Sequence, residues 1–440
     1  MNKVILLLSL FAVSLCAENY AVLVAGSKDF VNYRHQSNVY HNYKVLVEKG
    51  FKKENIIVMA YDDIANNSRN PFKGQVFNKP NGPDVYGGIQ IDYKGVDVTP
   101  DNFVHVLLGE EEAVQGIGTG RVLKSTNEDN VYLLFDDHGG DNVIAFPKSV
   151  MYQNTLNDAL QKMYDTGKYK QMVFYMEACH SGSMFNDGKL PNNTKIFVTT
   201  SANPHESSYG TYCGADAKVN GTSIGACLGG QYATSWLEEL DELEDWSSVT
   251  LAEQYQHIVK KTTKSNPSNY GDLSFQDLPL SDFFTATQGN KKKTYQYFLG
   301  LLDDIADALD EPEREYEMVN EENMKLYYLK QLAIQSNDIK DVQAYEKEVE
   351  LTARTKFIFD MFKKEFDLED KRVSNDIDFD CYKQTVDNYE KLCGFDVDRD
   401  IYYFTHFANF CTKKISSWKA YHALDEICSY LQTLINLFLY

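Results

Sequence analysis

The chain has 440 residues and 43% hydrophobic content, enough for two or three domains with a sizeable core. A formal net charge of -21 argues against nucleic acid as a partner, since a chain of that sign does not neutralise phosphates. The acidity serves either solubility or a pH-linked role.

Met1–Glu18 (MNKVILLLSLFAVSLCAE) has a basic start, an apolar stretch from Val4 to Leu15, and small residues near Cys16 and Ala17. This is the pattern of a secretory signal peptide, 1–17, cut near Ala17. The stretch is short for a membrane anchor, and no later segment holds about 18 continuous apolar residues, so no membrane span is expected. Secretion implies an oxidising compartment. Of the eight cysteines, Cys16 leaves with the signal or sits at its edge. Cys179, Cys213, Cys227, Cys381, Cys393, Cys411 and Cys428 remain, an odd number. Six can pair and one can stay free as a reactive thiol. The sequons at Asn66, Asn192 and Asn220 are glycosylation candidates.

Next come short apolar runs separated by helical patterns. YAVLVAG (20–26), NIIVMAY (55–61), VYLLF (131–135), MVFYM (172–176) and KIFVTT (195–200) read as buried strands. NVYHNYKVLVEKG between the first two has helical spacing and a glycine stop at Gly50. Asn70–Gly95, rich in Gly, Pro and Asn, reads as a long loop. The alternation predicts an α/β fold with a mostly parallel sheet over 18–285. After about Phe284 a basic knot, GNKKKT, is followed by the acidic stretch 301–319. The chain then lacks strand patterning and looks helical. A linker is expected over 286–337 and a separate helical domain over 338–440. No internal repeat is present.

The chemistry concentrates in FYMEACHSGSMF (174–185). Cys179 and His180 are adjacent, but successive residues leaving a strand point to opposite faces, so His180 is a flanking residue and the base comes from elsewhere. In a parallel α/β sheet, functional residues collect at the carboxyl ends of strands. VYLLFDDHGG (131–140) places His138 just beyond a strand end, as MVFYM places Cys179. Taken singly, these are an inert buried cysteine and a satisfied core histidine; taken together at two strand ends, they read as a nucleophile and its base. Backbone N–H groups at Gly139 and Cys179 are then candidates for holding an oxyanion.

DHGG (137–140), EACHSGSM (177–184), NYRH (32–35) and ESSYG (206–210) together resemble the legumain family, the asparaginyl endopeptidases among the caspase-like cysteine peptidases. VMAYDDIA, PNGPDVYGG, DVTPDNF, GIGTGRVLKS and TTSANPHESS extend the resemblance over most of 20–285. It implies a caspase-like α/β domain, lysosomal or vacuolar residence (or an extracellular one), and cleavage after asparagine, and after aspartate at low pH. Transpeptidase or ligase activity is a further expectation of it. Residue by residue, it implies Cys179 as nucleophile, His138 as acid–base partner and Asn32 as the residue that orients the histidine. It further implies Asp137 as a succinimide candidate, and Arg34, His35, Glu177 and Ser208 as the pocket for the substrate's asparagine. A pocket with cationic and anionic walls suits a carboxamide. One departure stands out: the family pattern LGD reads CLGGQYATSW here, with Gly230 in place of the aspartate, a change that bears on the specificity.

The last four cysteines are 12, 18 and 17 residues apart, a spacing that resembles the death-domain-like helical prodomain of legumains. Four cysteines alone allow three pairings. The resemblance implies Cys381–Cys411 and Cys393–Cys428, with Cys213–Cys227 as in plant-like legumains, leaving Cys179 free. It also implies that the prodomain covers the cleft as an intramolecular inhibitor until acid releases it, that Asn337 in SND is the self-processing site, that proteins and peptides are the substrates, and that cystatin-type proteins are candidate inhibitors. No cofactor is expected, and no metal: the nine histidines show no ligand spacing, and the cysteines are better explained by bridges. The alternatives are a transamidase like that which attaches lipid anchors, for which a membrane helix near the C-terminus would be expected, and a catalytically weak homologue that acts by binding.

Overall fold

The computed structural model describes residues 17–186, 188–190, 193–285, 315–336, 338–374 and 376–438. The expected signal peptide apart from Ala17, the stretch 286–314, Asn192 and Asn337 lie outside them.

In chain order the first part runs β1 (Asn19–Ala25), α1 (Tyr33–Glu48), β2 (Ile56–Ala60), α2 (Pro100–Leu108), β3 (Asn130–Asp136), β4 (Gly139–Gly140), β5 (Val143–Phe146), β6 (Ser149–Tyr152) and α3 (Gln153–Asp165). It continues with β7 (Gln171–Glu177), β8 (Ile196–Thr200), β9 (Tyr209–Thr211), β10 (Lys218–Val219), β11 (Thr222–Ser223), β12 (Gly229–Gly230), α4 (Gln231–Glu242), α5 (Leu251–Lys261), β13 (Ser268–Gly271) and α6 (Ser281–Phe284). The main sheet has the order β13-β8-β7-β3-β1-β2, and all its strands are parallel except the edge strand β13.

The strands read as unbroken apolar runs because helices cover both faces. Ala21, Leu23, Val58, Tyr132 and Tyr175 pack under Val39, Tyr43 and Leu46 of α1 and Trp236 of α4. Val22, Val24, Leu133, Phe135 and Phe174 pack on the other face against Val106 and Leu107 of α2 and Leu156 and Leu160 of α3. The segment 61–94 carries no helix or strand, as its composition predicts.

Helix α1 starts at Tyr33, five residues before the sequence pattern suggests, and its first two turns bury Arg34, His35, Gln36, Ser37 and Asn38. Apolar periodicity cannot locate a helix start made of buried polar side chains, and such burial needs partners that only the tertiary structure supplies.

The C-terminal part is helical: Met324–Ser336, Ile339–Phe366, Phe379–Cys393, Val397–Asp400, Thr405–Thr412 and Ser417–Phe438. Phe359, Phe362, Tyr382, Phe404, Phe407 and Leu424 form its core. Val143, Ala145 and Tyr152 from the β5–β6 hairpin complete that core, so the tail is docked on the α/β part rather than tethered beside it. Disulfides join Cys213–Cys227, Cys381–Cys411 and Cys393–Cys428, and Cys179 is free.

The reading of 286–337 as a linker without strands needs correction over its described part. Residues 319–320 form β14, which pairs antiparallel with β9, and 324–336 is a helix. A two-residue strand has too few positions to show alternation; its pairing is set by the waiting edge of β9, not by its own sequence. Among the described residues, no helix is long and apolar enough to cross a membrane.

Candidate active site

Strands β3 and β7 are parallel neighbours with Asp136 opposite Glu177. Continuing that register by two residues brings His138 opposite Cys179 at the carboxyl edge of the sheet. Glycine is required directly after the histidine: a Cβ at Gly139 would run into the Cys179 carbonyl. His180 is turned aside, with a positive φ of 53° and its Nδ1 3.1 Å from the Pro204 carbonyl.

His138 is buried and both ring nitrogens are engaged. Nε2 lies 2.9 Å from Oδ1 of Asn32 and 3.4 Å from Oδ1 of Asp398. Nδ1 lies 2.8 Å from the hydroxyl of Tyr402, which donates to the Glu321 carbonyl at 3.2 Å. The oxygens of Asn32 and Asp398 only accept, so Nε2 carries a proton; Nδ1 carries another when the Tyr402 hydroxyl gives its own to the Glu321 carbonyl. The imidazolium form fits this shell. Burial opposes that charge, but the hydrogen bond and charge of Asp398 outweigh it and hold the pKa of His138 above its ordinary value.

The Cys179 sulfur meets Ser208 instead: its hydroxyl lies 3.6 Å away, and the Ser208 N–H donates to Sγ at 3.3 Å. Among the described residues, no hydrogen bond joins Cys179 to His138. Burial first, and the Glu321 carboxylate second, hold the thiol well above its ordinary pKa. In this packing the cysteine is a neutral thiol beside a histidine that already holds its protons.

The predicted pocket residues converge, and the chain itself fills the space between them. Arg34 donates from Nε to Oε1 of Glu321 at 2.6 Å and from Nη2 to Oε2. His35 Nε2 is 3.6 Å from Oε2, and the Glu321 N–H donates to the Ser208 carbonyl at 3.1 Å. Glu177 accepts from the Ala233 N–H at 3.0 Å, and a Cβ at Gly230 would come within 2.6 Å of its Oε2. Burial, then the charge of Glu321, drives the Glu177 carboxyl up to about 8. Its register partner Asp136, bonded to Asn38 at 2.8 Å, is raised well above the usual range by burial and then by Glu177. Burial, then Arg34, lowers His35 to about 3. Glu321 and Asp398 go the other way: burial would raise them, but Arg34 and His138 respectively pull them well below the carboxylate range.

Asp137 is buried against Gly26, and neither of its oxygens has a hydrogen-bond partner. Burial raises its pKa to about 8 despite the neighbouring His138, so it is a neutral acid through the acidic range. One atom each of His35, His138 and Glu321 lies within 4.8 Å of the others, a spacing a cation can use. Arg34 already neutralises that carboxylate, which makes the cluster a poor cation site.

Tail residues complete the cover. Ile401 packs its carbonyl over Gly140, buried Arg372 reaches Asp141 at 3.3 Å, and Tyr382 donates to the Asp141 carbonyl at 2.7 Å. Glu321, Asp398, Tyr402 and Arg372 were not predicted. The pairing of a buried arginine with some acid was foreseeable, but nothing local in NEEN or DRD says which acid it meets. Of the sequon asparagines, Asn66 and Asn220 are exposed.

A parallel α/β scaffold thus presents a cysteine and a histidine at adjacent strand ends, covered by its own helical tail. Residues 19–293 match the Peptidase C13 family, and residues 337–428 match the legumain prodomain. The chain belongs to the peptidase C13 family. It is 43% identical over 266 residues to rat legumain (Rattus norvegicus), covering 60% of this chain and 59% of that protein. It is 38% identical over 326 residues to mouse legumain (Mus musculus), covering 74% and 69% respectively. The aligned part thus spans about three fifths of the rat relative's length. Caspase-1 from Spodoptera frugiperda superposes with a TM-score of 0.35 and 11% identity, over 63% of this chain and 94% of that one.

Proposed function

We propose that this chain is the zymogen of a cysteine endopeptidase that cleaves peptide bonds after asparagine. The observation that carries the reading is the way Val319–Glu321 lies on β9, with Glu321 on Arg34 and the tail clamped on His138. That is how a chain would cover a peptide-binding strand and its side-chain pocket before release.

In the released enzyme His138 takes the Cys179 proton and the thiolate attacks the carbonyl carbon of the substrate asparagine. The oxyanion is held by the N–H groups of Gly139 and Cys179, worth about 3 kcal/mol for each donor. Collapse breaks the C–N bond, and His138 returns the proton to the leaving amine. Water, activated by His138, then cleaves the thioester; an incoming peptide amine in its place gives ligation. Asn32 fixes the imidazole. Arg34, His35, Glu177 and Ser208 surround the asparagine side chain, and neutral Asp137 is the candidate for succinimide formation. Losing Asp398 with the tail removes the charge that keeps His138 protonated, so release both opens the cleft and frees the base. Self-cleavage after Asn337, passage through the secretory route, residence in a lysosome or vacuole and inhibition by cystatin-type proteins belong to the same reading.

The test is a set of fluorogenic peptides that differ only at the residue before the cut (Asn, Asp, Gln, Arg, Ala), assayed from about pH 4 to 7 on acid-treated protein and on Cys179→Ala. Cleavage after asparagine that is lost in the variant supports the reading. No cleavage after confirmed release of the tail points instead to a transamidase or a binding protein.

A further inference from the structure

The segment that fills the pocket is laid down as a substrate would be. Val319 and Asn320 extend the edge of β9 opposite Gly210 and Tyr209, and Glu321 follows with its N–H on the Ser208 carbonyl. Backbone pairing along a strand edge, with a side chain dropped into a pocket, is a general mode of extended-peptide recognition. The side chain in the pocket is an acid, and Arg34 holds both its oxygens with the fork of its guanidinium, the geometry in which arginine reads a carboxylate.

The groups facing this carboxylate are Arg34 and His35 from α1, Asp136 and His138 from the β3 edge, Glu177 and Cys179 from the end of β7, and Tyr402 from the tail. Burial holds Asp136 and Glu177 up, helped at Asp136 by Glu177 and at Glu177, which reaches about 8, by the Glu321 carboxylate itself, so with the segment in place both are neutral acids in the mildly acidic range. His35, held down to about 3, is neutral as well. With the tail docked, the charged groups facing Glu321 from α1 and the β3 edge are Arg34 and protonated His138, both cations. Position 230, where an aspartate would repel an acid, is glycine, and Glu177 occupies the space a side chain would need. Occupancy without turnover is also accounted for: the Glu321 carbonyl accepts from Tyr402, and the same hydroxyl holds His138.

We propose that the pocket of Arg34, His35, Glu177 and Gly230 recognises an ionised glutamate side chain, so that the mature enzyme cleaves after glutamate as well as after asparagine. This rests on the endopeptidase reading above.

Protein freed of both the helical tail and the segment that carries Glu321 is assayed at about pH 5.5, above the ordinary glutamate pKa, on peptides identical except for Asn, Gln or Glu before the cut. The expected result is Cys179-dependent cleavage after glutamate, with kcat/KM roughly tenfold above the isosteric glutamine peptide. The ratio should fall towards one as the pH drops below about 4.3, where the substrate loses its charge. Cleavage after asparagine with glutamate no better than glutamine overturns the inference and leaves the endopeptidase reading standing. Cleavage of none of the peptides removes both. Gly230→Asp, checked for folding by circular dichroism and its thermal transition, should bring the Glu/Gln ratio below one; a ratio unchanged in the folded variant contradicts the charge argument.

Discussion

Asp398, from the helical tail, sits 3.4 Å from Nε2 of His138, on the same nitrogen that meets Asn32. The tail therefore does more than cover the strand ends: it supplies the countercharge that keeps His138 protonated. Replacing that countercharge should release the tail early. Removing one member of a buried ion pair costs about 3 kcal/mol or more. Asp398→Asn is expected to show peptidase activity at neutral pH without acid treatment, at least tenfold above the parent chain. Activity as low as the parent's would mean that other contacts alone hold the clamp.

The same groups set the pH of release. Glu321 and Asp398 have pKa values depressed in the docked form, so they stabilise docking above the ordinary carboxylate range of about 4, and this is lost as pH falls further. His138 has the opposite sign: its raised pKa stabilises docking below about 6.5 and is lost as pH rises through it. Docking should therefore be tightest between roughly pH 4 and 6.5 and weaken below that window. Hydrogen-exchange protection of 139–145 and 398–404 in Cys179→Ala, corrected for intrinsic rates, measures it. Protection that survives well below pH 4 would rule these carboxylates out as the release trigger.

Tyr402 bridges His138 and the Glu321 carbonyl with one hydroxyl. Tyr402→Phe removes both hydrogen bonds, each worth about 1 kcal/mol. Alkylation of Cys179 in the intact chain should become several-fold faster, while kcat/KM of the released enzyme stays as in the parent, because residue 402 has left with the tail. A change in the released enzyme would place Tyr402 in the working site.

A Cβ at Gly139 would collide with the Cys179 carbonyl oxygen. Gly139→Ala should displace that carbonyl and lower kcat by roughly 100-fold, the scale of losing one oxyanion donor. Substrate binding, read as inhibition by an uncleaved asparaginyl peptide, should change little. Equal loss in both would show a collapsed site instead.

The bridges Cys381–Cys411 and Cys393–Cys428 lie wholly in the tail. Replacing both cysteines of the second pair by serine should destabilise the tail by about 2–4 kcal/mol. Calorimetry should then resolve an earlier tail transition and leave that of the α/β part in place. A uniform shift of a single transition would mean that the two parts unfold together.

How much of this was legible in the sequence depended on how local each signal was. His138 and Cys179 could be found because each stands just beyond the end of an unbroken apolar run, and parallel sheets gather strand ends at one edge. The sheet itself was legible for the same reason. Asn32, Arg34 and His35 carry no such signal; they stand in a helix start made of buried polar groups, and only their family resemblance marked them. Glu321 meets Arg34 from 287 residues away along the chain and Tyr402 meets His138 from 264, with Asp398 beside it. Such long-range partners leave no periodicity to read, and the brief strand at 319–320 was hidden in an apparent linker for want of length.

The most direct measurement compares cleavage of one asparaginyl peptide by the intact chain and by the same chain after acid release of the tail, with Cys179→Ala alongside. The account predicts an inert intact chain, an active released one and no activity in either form of the variant. An intact chain as active as the released one, or a variant that still cleaves, would contradict it.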